Sequence, residues 1–167
     1  MSANNPKEMF VLLLSDVRRK TERSVDFYRE VSKLAEEPDI KEALDARAFV
    51  AEKSLEKIDE VFKLINQKPA TLSGRAEEVF VEDFRNELAE IKGPVVRKLF
   101  ILSKLLHLTH WRIGEYLALV AAADATGNFG VGVILESCLG DYLAFVERNR
   151  RIIREVAEVR AATRAGA

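Results

Sequence analysis

A long apolar stripe with a polar interruption at its middle is the feature that most constrains this chain. The stripe runs along Pro94–Thr126, where apolar residues recur every three or four positions, as on one face of a helix. Thr109 breaks it near the midpoint, with His110 and Arg112 beside it. Helical bundles place their polar sites halfway along facing helices, so this stretch predicts the central helix of a bundle. The stripe consists of Val95, Leu99, Leu102, Leu106, Ile113, Tyr116, Val120 and Ala123.

Three more segments carry the same spacing, which predicts four long helices in all. Each of the first two has large apolar residues at its ends and small or charged residues at its centre. The centre of the first holds Thr21 and Ser24, and that of the second holds Arg47. The middle of the predicted bundle is therefore polar on several helices at once. The predicted long helices cover about 6–35, 39–66, 94–126 and 131–159.

The connection between the second and third long helices is much longer than the other two. It contains a shorter helical pattern, for which Ser73 is a suitable N-cap and which ends near Ile91. Short links favour hairpins, whereas a long link with its own helix lets the chain cross from one end of a bundle to the other. The sequence thus predicts an all-α, ferritin-like antiparallel four-helix bundle with a crossover helix.

Length and charge restrict the class of protein further. The 167 residues predict a single domain over 1–167, with a core of about 6–160 and a frayed tail at 161–167. The net charge of −1 gives no electrostatic reason to expect a nucleic-acid or membrane partner. A lone cysteine, Cys138, cannot form an internal disulfide and reads as a small buried hydrophobe. No apolar run reaches the length of a membrane span, and we expect a cytoplasmic protein.

Several segments, in order and spacing, resemble the YciF-like, ferritin-like family of bacterial stress proteins. The resemblance covers nearly all of residues 8–160. It is carried by five segments: Met9-Phe10-Val11 with Leu14-Ser15-Asp16, Pro38–Leu44, Leu55–Phe62 with Lys68-Pro69 following, His110 with Ile113 and Tyr116, and Cys138-Leu139-Gly140-Asp141.

This resemblance implies a bundle whose inner Glu and His side chains can hold two metal ions. At the matching positions the chain departs from that pattern. Thr21 lies where the family pattern has a Glu, and Arg47 lies where it has a His. Thr109 and Arg112 lie where it has two Glu. On the last helix only Asp141 is acidic, and Tyr142 stands where a second Glu is implied. His110 alone is kept. The remnant mid-bundle site is therefore predicted as Thr21, Arg47, Thr109, His110, Arg112, Asp141 and Tyr142.

Elementary chemistry agrees with these departures from the ligand pattern and argues against a metal site. A di-metal site needs about six carboxylate or imidazole ligands from four helices. Arginine cannot lose its proton and repels a metal. We therefore expect no metal, no cofactor and no catalytic residue, and a non-catalytic protein that is stress-associated, as the resemblance implies. Its role would be self-association or contact with a protein partner.

Two alternatives remain at this stage. One is a metal-binding ferritin-like oxidoreductase with an atypical site near His107, His110, Asp141 and Glu115. The other is a bundle that binds a small apolar or anionic ligand around its two inward arginines. The resemblance also implies a homodimer, for which the large apolar residues Trp111, Phe27 and Leu119 are candidate contacts.

The inward residues also lead to expectations about their partners. Tyr142 is large enough to fill the space that lost carboxylates would leave, with Thr21 or Thr109 as partner for its hydroxyl. Arg47 and Arg112 should each meet a carboxylate or turn outward to water, because an unpaired buried charge is costly. Asp141 and Glu22, each beside a lost ligand, are the predicted acids.

Overall fold

A computed structural model describes residues 3–72 and 74–165, with side chains described as far as residue 158. Within this part the chain folds into five helices. Each predicted helix is present, and its ends lie within two residues of those expected, except that α5 continues to Ala165, beyond the predicted end near 159. The helices are α1 (Pro6–Leu34), α2 (Pro38–Leu64), α3 (Arg75–Glu90), α4 (Pro94–Ala125) and α5 (Phe129–Ala165).

Proline and glycine set the helix ends. Pro6, Pro38 and Pro94 each lie in a first turn, where the missing N–H costs no hydrogen bond. Gly127 has a φ of 76° just after α4, a left-handed conformation that glycine adopts readily. Ser73, the predicted cap of α3, lies outside the described residues, and Gly74 directly precedes the helix.

The long helices form a ring in which α1 contacts α2 and α4, and α5 contacts α2 and α4. The α1–α4 pair is antiparallel, since Lys20 contacts Glu115 and Ser24 contacts Arg112. Helix α3 runs parallel to α1, because Arg23 pairs with Glu78 and Glu30 with Arg85 at a constant offset of 55 positions. The loop after α2 contacts α1 at Ser15, and α3 then continues along the second half of the α1–α4 face, so that loop and helix together cross the bundle from one end to the other. The predicted pair of hairpins with a crossover helix is confirmed.

Two apolar clusters fill the bundle, one on each side of its midpoint. One is built around Val31, Leu44 and Leu102, and the other around Leu14 and Ile58. On α4 the buried stripe differs in part from the predicted one. Of the predicted stripe only Leu102, Tyr116 and Ala123 are buried, and the other five residues are half-buried. The buried apolar side chains of α4 outside the predicted stripe are Ile101, Leu105, Leu108 and Leu119.

Helix α5 differs from the prediction in one respect. Among the described helices it alone is long and apolar enough to cross a membrane, over Phe129–Glu158, by length and composition only. The core helix of a bundle passes the same test, and Leu135, Cys138 and Tyr142 of this segment are buried against the other helices. The α5 backbone is helical to Ala165. Fraying of the tail stays a prediction, and residues 166 and 167 lie outside the described part.

Candidate functional site

The polar midpoint of the bundle lies between the two apolar clusters. Five of the seven residues predicted for this site are buried there, each at most 1% exposed. Two further polar residues, Ser24 and Glu77, are buried beside them and were not predicted as part of the site. The five predicted residues that lie inside are Thr21, Arg47, Thr109, Arg112 and Tyr142.

A buried ion pair joins the crossover helix to the midpoint. Arg112 Nη2 lies 2.6 Å from Glu77 Oε1 and donates a second hydrogen bond to Ser24 Oγ at 3.2 Å. The Glu77 side chain is 5% exposed and that of Arg112 is 1% exposed. Arg112 Nη1 donates to Glu115 Oε2 at 2.9 Å. The guanidinium thus meets two carboxylates, although neither is an acid that we predicted for it.

The sequence does contain a signal for Glu77. It lies seven positions before Phe84 and eleven before Leu88, the two apolar residues that α3 buries. A heptad spacing puts all three on one face of the helix. The predicted partners are engaged elsewhere. Asp141 pairs with Lys57 and Glu22 pairs with Arg18.

The charges of this pair are set by burial and by their neighbours. Burial raises the pKa of Glu77 above its ordinary value, against the opposing pull of Arg112. Burial opposes the charge of Arg112, but Glu115 and Glu77 outweigh it and raise the pKa of the guanidinium. Lys20 contacts both Glu115 and Asp16. The network therefore extends from the midpoint to the surface of α1.

Arg19 lies against the start of the crossover helix. A Cβ atom added to Gly74 would overlap the guanidinium of Arg19, which is the flexible end of that side chain and would have to move aside. Gly74 also has a φ of 68°, in the left-handed region. Arg19 Nη2 donates to Asp16 Oδ1 at 3.2 Å. The backbone conformation thus favours glycine at this position, and a larger residue would also displace the end of Arg19.

Arg47 is held in a different way from Arg112. Its guanidinium carbon lies 3.8 Å from the ring centroid of Tyr142, 4.9 Å from that of Phe145 and 5.5 Å from that of Tyr28. Its three guanidinium nitrogens have no hydrogen-bond partner within the described part of the chain. Aromatic faces attract the cation, but they leave its in-plane N–H donors unsatisfied. The expectation that Arg47 meets a carboxylate or reaches water is therefore wrong.

Tyr142 occupies the midpoint beneath Arg47, as expected from its size. Its ring centroid lies 5.3 Å from that of Tyr116, and burial raises the pKa of both phenols. Thr21 and Thr109 donate to carbonyl oxygens of their own helices, at 2.8 and 2.7 Å, which leaves each hydroxyl oxygen able to accept. Of these two predicted partners, Thr21 lies close enough to the Tyr142 hydroxyl to oppose the rise of its pKa. No hydrogen bond of ordinary length and angle joins either tyrosine hydroxyl to a described residue.

Two of the predicted site residues lie outside the midpoint. His110 is exposed on α4, because it is one position away from the inward Thr109, and its Nδ1 lies 2.8 Å from the carbonyl oxygen of Leu106. Asp141 lies at the surface of α5 beside Lys57. The alternative set of His107, His110, Asp141 and Glu115 is not brought together, since Glu115 faces Arg112. The described residues hold no group of three or more metal-ligating side chains.

Cys138 lies inside the apolar cluster that contains Leu14 and Ile58. Burial raises the pKa of its thiol above the ordinary value. A protonated, enclosed thiol is a poor nucleophile. This agrees with its interpretation as a small buried hydrophobe.

The outer face of α4 is exposed and bears no Asp, Glu, Lys or Arg from Ser103 to Ala121. Trp111 is 47% exposed and packs against Phe80 of α3 at a centroid distance of 6.1 Å. The other predicted contacts, Phe27 and Leu119, are buried within the bundle, Phe27 because it packs on Phe84 of the crossover helix. The exposed residues of this face, called the α4 face below, are Ser103, His107, His110, Trp111, Gly114, Leu117, Ala118 and Ala121.

Known proteins share this sequence pattern and this architecture. A family model described as "Domain of unknown function (DUF892)" matches residues 5–161. Among solved structures, the E. coli stress protein YciF superposes with a TM-score of 0.88 at 19% identity, covering 93% of this chain and 99% of that one. YcfI from Rhodopseudomonas palustris superposes with a TM-score of 0.84 at 20% identity, covering 90% and 97%. No curated protein matches the chain in sequence.

Proposed function

The chain belongs to the DUF892 family, and we propose that it is a non-catalytic bundle whose centre is held by fixed arginine cations instead of metal ions. The observation that carries this proposal is the burial of Arg47 and Arg112 at the midpoint, each 1% exposed. A guanidinium is permanently charged, so it supplies positive charge at a bundle centre without any bound ion.

The donor set at the midpoint does not fit a di-metal centre. Its inward residues include two arginines, two threonines and Tyr142, and none of these is a good ligand for a divalent cation. The carboxylate of Glu77 is already engaged by Arg112 at 2.6 Å. A metal ion would have to displace that cation and would be repelled by Arg47 as well. We therefore derive no redox or hydrolytic step for this protein.

Self-association through the α4 face is the second part of the proposal. An uncharged, partly aromatic strip is typical of a protein–protein interface. Trp111 lies near the middle of the strip, and tryptophan is enriched among the residues that dominate binding energy. A second copy of the chain is the occupant that we propose, and the family resemblance supports it.

The proposed setting is a bacterial stress response, in the cytoplasm. Its support is the likeness to the E. coli stress protein YciF and to YcfI, a protein described as having a structural role. A protein that acts by association rather than by turnover would be needed in amounts comparable to its partner. Its abundance should therefore rise under stress conditions.

Light scattering tests the association directly. At high micromolar concentration the wild-type chain should have the mass of a dimer, and Trp111→Lys should have that of a monomer. Leu143→Lys, which places the same charge at a similarly exposed position on α5, should remain dimeric. A monomeric wild-type protein would contradict the assignment of the α4 face.

A further inference from the structure

The guanidinium of Arg47 lacks an acceptor for its hydrogen bonds. The residue is 1% exposed, and Nε, Nη1 and Nη2 make no hydrogen bond within the part of the chain that the structure describes. The faces of Tyr142, Phe145 and Tyr28 attract the positive charge but accept nothing from the donors in its plane. A buried donor without a partner is costly, and a buried charge more so. The N–H groups of the Arg47 guanidinium could therefore donate hydrogen bonds to an external anion.

A groove of about 200 Å³ lies between α2 and α5, and Arg47 is one of the residues that line it. Crossover helix α3 covers the opposite, α1–α4 side of the bundle, so this side stays open. Small side chains line most of the groove and leave space between the two helices. Most of these lining residues are apolar. Its apolar lining consists of Ala43, Ala46, Val50, Ala144 and Phe145.

The other two charged residues of the groove are already paired. Arg148 Nη2 lies 3.2 Å from Glu42 Oε1, and Asp141 Oδ2 lies 3.4 Å from Lys57 Nζ. Both pairs are partly solvent-exposed, at the rim of the groove. Arg47 is therefore the one lining charge for which the described residues provide no carboxylate.

We propose that this groove binds a small aliphatic carboxylate. The planar carboxylate would accept two parallel hydrogen bonds from Arg47, the arrangement that a guanidinium fork favours. The hydrocarbon chain would lie against the alanines and Val50, which bury it from water. Rotation of Phe145, which lines the groove and contacts the guanidinium, would open the path between them.

The chemical class follows from charge and size. A monoanion balances one guanidinium, whereas a phosphate dianion would keep an excess negative charge near Asp141. A dry cavity of roughly 150 Å³ is enough to hold benzene, so a groove of about 200 Å³ suits a ligand with roughly eight non-hydrogen atoms. Hexanoate has this size and charge and is the probe for the test.

Calorimetric titration of the full chain with hexanoate tests the proposal. The wild type should bind hexanoate, while hexanamide, which has the same shape without the charge, and inorganic phosphate should each bind at least about tenfold more weakly. Arg47→Met should lose the binding. Arg85→Met, which removes an exposed arginine from α3 far from the groove, should retain it.

A second variant keeps the proposal testable if Arg47→Met fails to fold. Ala144→Leu preserves Arg47 and fills the exposed wall of the groove, and it should abolish hexanoate binding in a folded protein. The proposal is overturned if the wild type does not bind hexanoate, or if Ala144→Leu binds it as the wild type does. Equal affinity for hexanamide or phosphate would overturn the assignment to carboxylates.

Discussion

Arg112 Nη2 lies 2.6 Å from Oε1 of Glu77, and both side chains are almost completely buried. This contact connects crossover helix α3 to the centre of the bundle. The four long helices themselves are joined in two pairs by short hairpin links. A carboxylate from a connecting segment thus joins Glu115 of α4 in neutralising a cation that the four long helices bury. The stability of the centre should depend on α3.

Removing the carboxylate should therefore destabilise the fold. We expect Glu77→Gln to lower the free energy of unfolding by about 2 kcal/mol, because Arg112 keeps Glu115 and Ser24 but loses its buried charged partner. Glu78→Gln, at the adjacent position on the exposed side of α3, should change it by less than about 0.5 kcal/mol. Urea unfolding measures both. Equal effects would show that burial of the Glu77 contact is unimportant.

The two inward arginines should respond in opposite ways to the same substitution. Arg112→Met leaves Glu77 buried without its cation and should cost about 3 kcal/mol of stability. Arg47→Met leaves no carboxylate unpaired among the described residues, so it should change stability by less than about 1 kcal/mol or increase it. Thermal unfolding of the two variants provides the comparison. A large loss in Arg47→Met would mean that the aromatic contacts outweigh the desolvation of the cation.

Gly74 should tolerate alanine less well than Gly127. Both glycines have a left-handed φ, which costs a non-glycine residue about 1–2 kcal/mol. At Gly127 an added Cβ meets nothing within 4 Å, whereas at Gly74 it would overlap Arg19. Because the overlapped guanidinium can move aside, the Gly74→Ala variant should lose less than about 1 kcal/mol more than Gly127→Ala in urea unfolding. Adding Arg19→Met should remove that difference, and its persistence would contradict the proposed overlap.

Alkaline pH should unfold the bundle through its buried phenols. The pKa values of Tyr116 and Tyr142 are raised above 10.0 because burial disfavours the phenolate. A raised folded pKa gives stability that is fully present below the unfolded value of about 10 and is lost as pH rises through the folded value. Phenolate absorbance from these residues should therefore appear together with the loss of helical circular dichroism. Phenolates that form in an intact helical protein would contradict this, and a Tyr116→Phe, Tyr142→Phe double variant should unfold at higher pH.

The architecture could be predicted from the sequence because it depends on local patterns. Apolar spacing defined the helices, and the lengths of the links distinguished hairpins from the crossover. The midpoint was harder because its contacts come from the rotation of α3. That rotation is fixed by the packing of Phe84 on Phe27, which also buries a residue that had been expected at a dimer contact.

The environment of Arg47 could not be predicted for a different reason. Charge pairing suggests a carboxylate for any inward arginine, and Asp141 is one residue away from the correct position along α5. The helix turns Asp141 to the surface and places Tyr142 under the guanidinium instead. The partner of Arg47 thus depended on which of two adjacent α5 residues, Asp141 or Tyr142, faces the interior of the bundle.

Thermal unfolding with and without EDTA is the most direct test of the claim that arginines, not metal ions, hold the centre of the bundle. The protein should be expressed in metal-supplemented medium and purified without a chelator. If Arg47 and Arg112 supply the central charge, the midpoint of unfolding should be the same in both samples. A decrease of several degrees in EDTA would show that a bound metal stabilises the fold and would contradict this account.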